Sequence, residues 1–112
     1  GRCLMAGSNG GKVQIPYYAT GLRGDDLQEG LAAIAPTALN YGATAFCVTR
    51  NREDRYKFVL SADFTNADDF YRWWEGPEFQ MFRIEYQGHF QLGVIYGWND
   101  TVASGSASYQ QA

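Results

Sequence analysis

Residues 56–65, YKFVLSADFT, alternate between two sets of side chains. Tyr56, Phe58, Leu60, Ala62 and Phe64 fall on one side, and Lys57, Val59, Ser61 and Asp63 on the other. Successive side chains of an extended chain point to opposite faces, so a period of two describes a strand with one core face and one mixed face. Such a strand belongs in an antiparallel sheet that is covered by helices on one side only. The remainder of the chain must supply its partners and that cover.

It does so in a regular order. Residues 13–21, VQIPYYATG, read as a first strand, and Pro16 suggests an edge position or a bulge because it brings no N–H to a ladder. Asp25 or Gly24 is placed to cap a helix running from Asp26, with Leu27, Leu31 and Ile34 on its apolar face. Pro36 lacks the N–H that would bond to Ala32, so it kinks or restarts this helix, and Gly42 suits the left-handed position after its end. Residues 43–50, ATAFCVTR, form a second strand, and 51–55 a polar turn into the third. Asn66 followed by Asp69 resembles a capping box with Asp in place of Glu, opening a helix that stops at Gly76. Pro77 then fits the first position of a new helical segment closed by Gly88. Residues 89–101, HFQLGVIYGWNDT, are the last strand.

The order β-α-β-β-α-β is the ferredoxin-like split unit, an α+β fold with an antiparallel sheet and both helices on one face. The other face would carry either Gln91 and Ile95 or the even set Phe90, Leu92, Val94, Tyr96 and Trp98. Both sets hold apolar residues, so a solvated outer face is disfavoured, and a homodimer packed through its sheets is the expected assembly.

A chain of 112 residues has room for one domain, expected over 12–102, with 1–11 a disordered leader or cloning remnant and 103–112 a flexible polar tail. The net charge of −3 and the lack of a Lys/Arg cluster argue against nucleic-acid binding. No apolar run approaches the roughly 20 residues of a membrane span, and the N-terminus lacks the regions of a signal peptide. The two cysteines, Cys3 and Cys47, make neither a disulfide framework nor a metal cluster, which points to the cytoplasm. Eight Tyr, seven Phe and three Trp exceed what a minimal core needs, so some of the rings are expected to line a pocket or an interface.

The strand–helix order, the run FTNADDFYRWWEGPEFQMFR at 64–83 and VIYGWND at 94–100 resemble the antibiotic-biosynthesis-monooxygenase-like (ABM-like) proteins of the dimeric α+β barrel superfamily. The likeness covers roughly residues 12–102. It implies two subunits packed sheet to sheet into a barrel, with a pocket in each between sheet and helices. It also implies one of several activities: oxidation of polycyclic phenols without metal or flavin, haem degradation, or none assigned. In the quinone-forming oxygenases an amide sits one helical turn before a Trp and a Tyr follows six residues after it. The positions here are Asp69, Trp73 and Phe79, so only the Trp matches. The haem-degrading members use a histidine in the segment after the Trp. None lies between Trp74 and Gly88, and Arg83 stands near that place.

Neighbouring residues on a helix lie about 100° apart, so Trp73 and Trp74 face different surroundings, and Phe70 shares a face with both. One indole plugging the core and the other closing the barrel end is the packing solution. An indole forming the wall for a flat ligand, with Phe70 and Phe79, is the binding solution. Arg83 is the candidate anion stabiliser, against a plain surface pairing with Glu78 or Asp69. His89 or Asp63 is the candidate base, against a solvated histidine and a helix-capping carboxylate. Tyr17, Tyr18 and Tyr41 are candidate hydroxyl donors. The function expected is oxidation of a flat phenolic or polyketide-like substrate with no cofactor and no metal. A cyclase or isomerase in the same pocket, or a non-catalytic dimeric ligand-binding or structural module, are the alternatives.

Overall fold

The computed structural model describes residues 10–91 and 96–107. Its elements are β1 (Gly11–Ala19), α1 (Gly24–Ile34), a 3-10 helix (Ala35–Tyr41), β2 (Ala43–Arg50), β3 (Lys57–Phe64), α2 (Ala67–Trp74), α3 (Pro77–Glu85), β4 (Phe90–Gln91) and β5 (Gly97–Asn99). The strands pair antiparallel in the order β2-β3-β1-β4, with β5 also on β1. This is the ferredoxin-like arrangement that the strand–helix order implies.

The alternation in β3 is realised directly. Phe58, Leu60, Ala62 and Phe64 are buried, while Lys57 is exposed and Val59, Ser61 and Asp63 are half-buried. β1 repeats the pattern, burying Val13, Ile15, Tyr17 and Ala19 and exposing Gln14, Pro16 and Tyr18. The helices close on that buried face with Leu27, Leu31, Ile34, Phe70, Trp73, Phe79 and Phe82. Each such side chain contributes about 1.5–3 kcal/mol when fully withdrawn from water.

Pro16 does not mark an edge, because β1 lies between β3 and β4. Ala19 N–H donates to Tyr56 O and Thr20 N–H to His89 O, so odd residues of β1 address β3 and even residues address the β4–β5 side. Pro16 therefore presents its missing donor to that side. β4 pairs Tyr18 with Gln91, while β5 pairs Gln14 with Gly97, an offset of two residues across the proline. The alternative of a pairing irregularity is thus the one realised. An even offset also keeps the same face inward, and Phe90, Tyr96 and Trp98 all pack against the core. Of the last strand expected over 89–101, positions 92–95, including Leu92, Val94 and Ile95, lie outside the described residues.

α1 starts at Gly24, and Arg23 at its N-cap makes no side-chain cap bond. Asp25 sits in the first turn and serves another purpose. Arg50 at the end of β2 donates from Nη1 to Asp25 Oδ1 at 2.9 Å and Gln28 Oε1 at 2.7 Å, and from Nε to Arg55 O at 2.7 Å. Its guanidinium also lies 4.9 Å over the Phe58 ring. This clasp, and not a helix cap, ties the entry of α1 to the sheet. Asn66 does cap α2, accepting from Asp68 N at 2.9 Å, but Asp69 does not return the bond, being paired with Arg72. Residues 101–107 are exposed and carry no regular structure.

Gly42 closes the 3-10 helix with φ 100°, and a Cβ there would stand 2.6 Å from Asp69 Oδ2. Gly42→Ala is expected to lower unfolding stability by about 1–2 kcal/mol, the cost of a left-handed non-glycine residue, read from urea unfolding. An unchanged midpoint would show that the turn relaxes freely.

Candidate functional site

Trp73 and Trp74 divide as the helical geometry requires. Trp73 is fully buried, its ring edge-on to Phe79 at 4.8 Å. Its Nε1 donates to Thr37 Oγ1 at 2.8 Å, and that hydroxyl donates in turn to Ile34 O at 2.5 Å. Every polar atom of this indole is satisfied, and no surface of it remains for a ligand. Trp73 is therefore a core plug.

Trp74 is half-buried and faces a different set of rings. Phe70 stacks on it at 5.6 Å, Phe79 lies 4.8 Å away, and Tyr96 from the last strand meets it edge-on at 5.3 Å. Arg83 completes this cage from α3. Its guanidinium carbon stands 5.0 Å from the Trp74 ring and 5.1 Å from Phe79, and Nη2 donates to Trp74 O at 2.7 Å. The carbonyl is one that a helix end leaves open. Arg83 forms no ion pair among the described residues, and Nη1 is buried with no partner. The carboxylates considered for it are engaged elsewhere, Asp69 with Arg72 and Glu78 with the Tyr41 hydroxyl at 2.6 Å.

Tyr17 reaches the same interior from the centre of β1. It is 2% exposed, flanked edge-on by Phe82 at 6.2 Å and Phe90 at 5.0 Å, and its hydroxyl has no hydrogen-bond partner among the described residues. Burial pushes the phenol well above its ordinary range, and the nearby positive charge of Arg83 offsets part of that rise. An unsatisfied buried polar group costs about 1–3 kcal/mol, so two in one aromatic chamber call for an explanation. Both can donate, and neither finds an acceptor among the described residues.

The other expected donors and bases lie apart. Tyr18 points to the outer face of the sheet, where its hydroxyl donates to Asp54 Oδ2 at 2.9 Å. Asp63 is also on that face. Its Oδ1 meets the Lys12 ammonium at 2.8 Å, off the direction of a hydrogen bond, so the contact is an ion pair at the sheet surface. The alternation of β3 that buries Ala62 and Phe64 forces Asp63 away from the helices. His89 opens the last strand with its ring edge-on to Tyr86 at 5.1 Å. Its Nδ1 is buried and unpartnered, and Nε2 stands 3.9 Å from Asp26 Oδ2. Tyr86 in turn stacks on Phe82 at 5.2 Å, which links His89 to the chamber through two rings.

Tyr17, Phe70, Trp74, Phe79 and Arg83 are thus brought together, His89 borders them, Trp73 stands behind them in the core, and Asp63 is excluded. The walls added by Phe82, Phe90 and Tyr96 went unassigned from sequence. Their signals were the i, i+3 step from Phe79 to Phe82 and the even positions of the last strand. No group of three His, Cys, Asp or Glu among the described residues is placed to hold a metal ion. No helix of the described residues is long and apolar enough to cross a membrane.

Tyr17→Phe removes an orphaned hydroxyl and keeps the ring. It is expected to raise stability at neutral pH by about 1 kcal/mol. The wild-type fold keeps the Tyr17 proton after the unfolded chain gives it up, so stability falls by about 1.4 kcal/mol per pH unit above about pH 10 on this account. The variant loses that component of the alkaline slope. Urea midpoints at pH 7 and 10.5 check both signs.

No family model and no curated protein matches the sequence. Solved structures do. PA3566 from Pseudomonas aeruginosa superposes with a TM-score of 0.74 at 17% identity, covering 85% of this chain and 96% of that one. SnoaB, a cofactor-independent oxygenase from Streptomyces nogalater solved as a point mutant, gives 0.71 at 15% identity, covering 86% and 96%. A candidate antibiotic biosynthesis monooxygenase from Bordetella bronchiseptica gives 0.69 at 18% identity, covering 83% and 99%. The chain has the ferredoxin-like fold of the ABM-like proteins.

Proposed function

We propose that the chamber around Trp74 and Arg83 binds a flat hydroxylated aromatic as its anion, and that the protein is an oxidoreductase resembling the cofactor-independent monooxygenases. One observation carries this reading: a guanidinium nitrogen and a phenol hydroxyl, both buried and both without an acceptor among the described residues, stand near enough for the Arg83 charge to act on the phenol, within one cluster of aromatic rings. A phenolate or enolate oxygen supplies the acceptor that both donors lack, and the edges of the surrounding rings supply apolar contact for its body. The fold shared with a cofactor-independent oxygenase supports the same reading.

In the reaction proposed, the substrate proton passes by way of water to His89, which stands beyond the Tyr86 and Phe82 rings, and Asp26 steadies the imidazolium from the side of Nε2. Arg83 and Tyr17 hold the resulting oxyanion, whose charge is delocalised onto a ring carbon. That carbanion passes one electron to dioxygen, the radical pair combines to form a carbon–oxygen bond, and the peroxide anion takes back the proton held by the His89 imidazolium. The hydroperoxide then loses water, leaving a new carbonyl. The substrate CH2 is oxidised by four electrons, one oxygen atom stays in the product, and the other leaves as water.

A second reading is binding without turnover. Phe79 carries no hydroxyl, and Asp69 is held by Arg72, so the amide and phenol that accompany the Trp in the quinone-forming oxygenases have no counterpart here. Titrating 1,8-dihydroxyanthrone against tryptophan fluorescence, with oxygen uptake recorded in parallel, separates the two. Saturable quenching with oxygen uptake above the spontaneous rate is expected. Arg83→Gln should weaken binding about tenfold or more, as expected for a lost charge-assisted hydrogen bond. His89→Ala should leave binding in place and slow oxygen uptake about 100-fold or more. Quenching without uptake leaves the binding module, and absence of quenching refutes both.

We also propose that the chain forms a homodimer through the outer face of its sheet, where Pro16, Tyr18 and Val59 stand among polar neighbours. Wild type is expected to sediment as a dimer and Val59→Lys as a monomer with unchanged far-UV dichroism. A monomeric wild type would sink the assignment.

A further inference from the structure

On the solvent side of the helix layer, α1 and α3 leave a groove of about 430 Å³ between them, a volume suited to a small organic molecule. It exists because α1 carries small residues along its α3-facing edge. Gly30 approaches the Tyr86 ring so closely that a Cβ would stand 2.6 Å from it, and Ala33 adds only a methyl group. The floor is aromatic, from Phe82 and Tyr86, and Met81, 60% exposed, forms a flexible flank.

The charge along this groove has one sign. Glu78 and Glu85 both line it from α3, and no cationic residue does. They are seven residues apart, which places them two helical turns and about 10 Å from one another on one face, with Met81 between. Asp26 and Glu29 also act on the Tyr86 hydroxyl, so the His89 end of the groove is negative as well. At the other end the Tyr41 hydroxyl donates to Glu78 Oε1 at 2.6 Å, which holds its carboxyl below the usual range and keeps its charge. An apolar, aromatic floor under paired carboxylates is complementary to an apolar body that carries a positive head.

We infer that the α1–α3 groove is a second ligand site, for a small amphiphilic organic cation such as a protonated amine on an aromatic or short aliphatic body. The ammonium lies on the Glu85 side at the edge of Tyr86, within the field of Glu78, while the body covers Met81 and Ala33. This site opens on the outside of the helix layer and does not depend on the anion chamber reading, with which it shares only the ring of Phe82.

A matched series varying only in its head group tests the inference: 4-phenylbutylammonium, 4-phenylbutanol and 4-phenylbutanoate. They are titrated into the full chain while the Met81 and Ala33 methyl resonances are followed. Saturable shifts with the amine are expected, with affinity at least tenfold weaker for the alcohol and no shift with the carboxylate. Raising the salt concentration should weaken the amine alone. Glu78→Gln with Glu85→Gln should lower the amine affinity tenfold or more and leave the alcohol unchanged. Ala33→Arg, on an exposed helix position, should abolish amine binding without changing the melting temperature. Equal affinity for amine and alcohol, an unaffected double variant, or shifts centred on the Trp74 indole would each overturn the assignment.

Discussion

A tryptophan that loses all contact with water must find an acceptor for its indole N–H, and much of this structure follows from where Trp73 finds one. Thr37 supplies it from the 3-10 helix, and can do so because Pro36 ends the α-helical ladder of α1 at Ile34, bringing the next turn over α2. Once Trp73 is fixed in this way, Trp74 has no choice of direction. It must lie about 100° round the helix, over the gap between α3 and the last strand. The Gly76–Pro77 break then reverses the chain within three residues, so that Phe79 returns to touch both indoles and Arg83 returns to the Trp74 carbonyl. The aromatic chamber is thus a consequence of how a core residue is satisfied.

That origin explains the chamber's unusual balance of polarity. Among the described residues no buried residue is charged, and the carboxylates sit at the surface or at helix starts, where the macrodipole favours them. Arg83 is the exception that reaches inward, steadied by ring faces and a carbonyl in place of an acid. Ring faces attract a cation without supplying the hydrogen-bond acceptors that a carboxylate would, so the remaining donor stays open. A native ion pair at this position would have filled the chamber with the protein's own charge. Leaving Nη1 and the Tyr17 hydroxyl open costs stability, and the anion binding proposed above would recover that cost.

Most of the fold was legible because β3 alternates without error and because each helix carries a local stop, Pro36, Gly42 or Gly76. The errors share a cause, which is that local chemistry was read without its neighbours. Asp25 has the chemistry of a cap, but Arg50, distant in sequence, claims it. Pro16 left an edge position and a bulge open, and only the register offset between β4 and β5 decides between them in favour of an irregularity on an inner strand. Asp63 was assigned to a pocket although its own position in the β3 alternation already set it on the other face, so that signal was present and unused. Trp73 and Trp74 could not be told apart, because their burial depends on the long-range partners Thr37 and Tyr96.

α3 is consequently a wall with two lined sides. Phe79, Phe82 and Arg83 belong to the aromatic cluster around Trp74 and Tyr17, while Glu78, Met81 and Glu85 line the groove outside, and Phe82 contributes an edge to each. A helix of nine residues held by a proline start and ring contacts is too short to keep two such faces independent through rigidity alone. What joins them is the Phe82 ring, packed on Tyr17 and Phe90 within and stacked on Tyr86 at the groove floor. An occupant that shifted Tyr86 would move Phe82 and with it the ring beside the open hydroxyl of Tyr17. The opposite charge preferences of the two sides therefore meet at one apolar ring, which transmits position and carries no charge of its own.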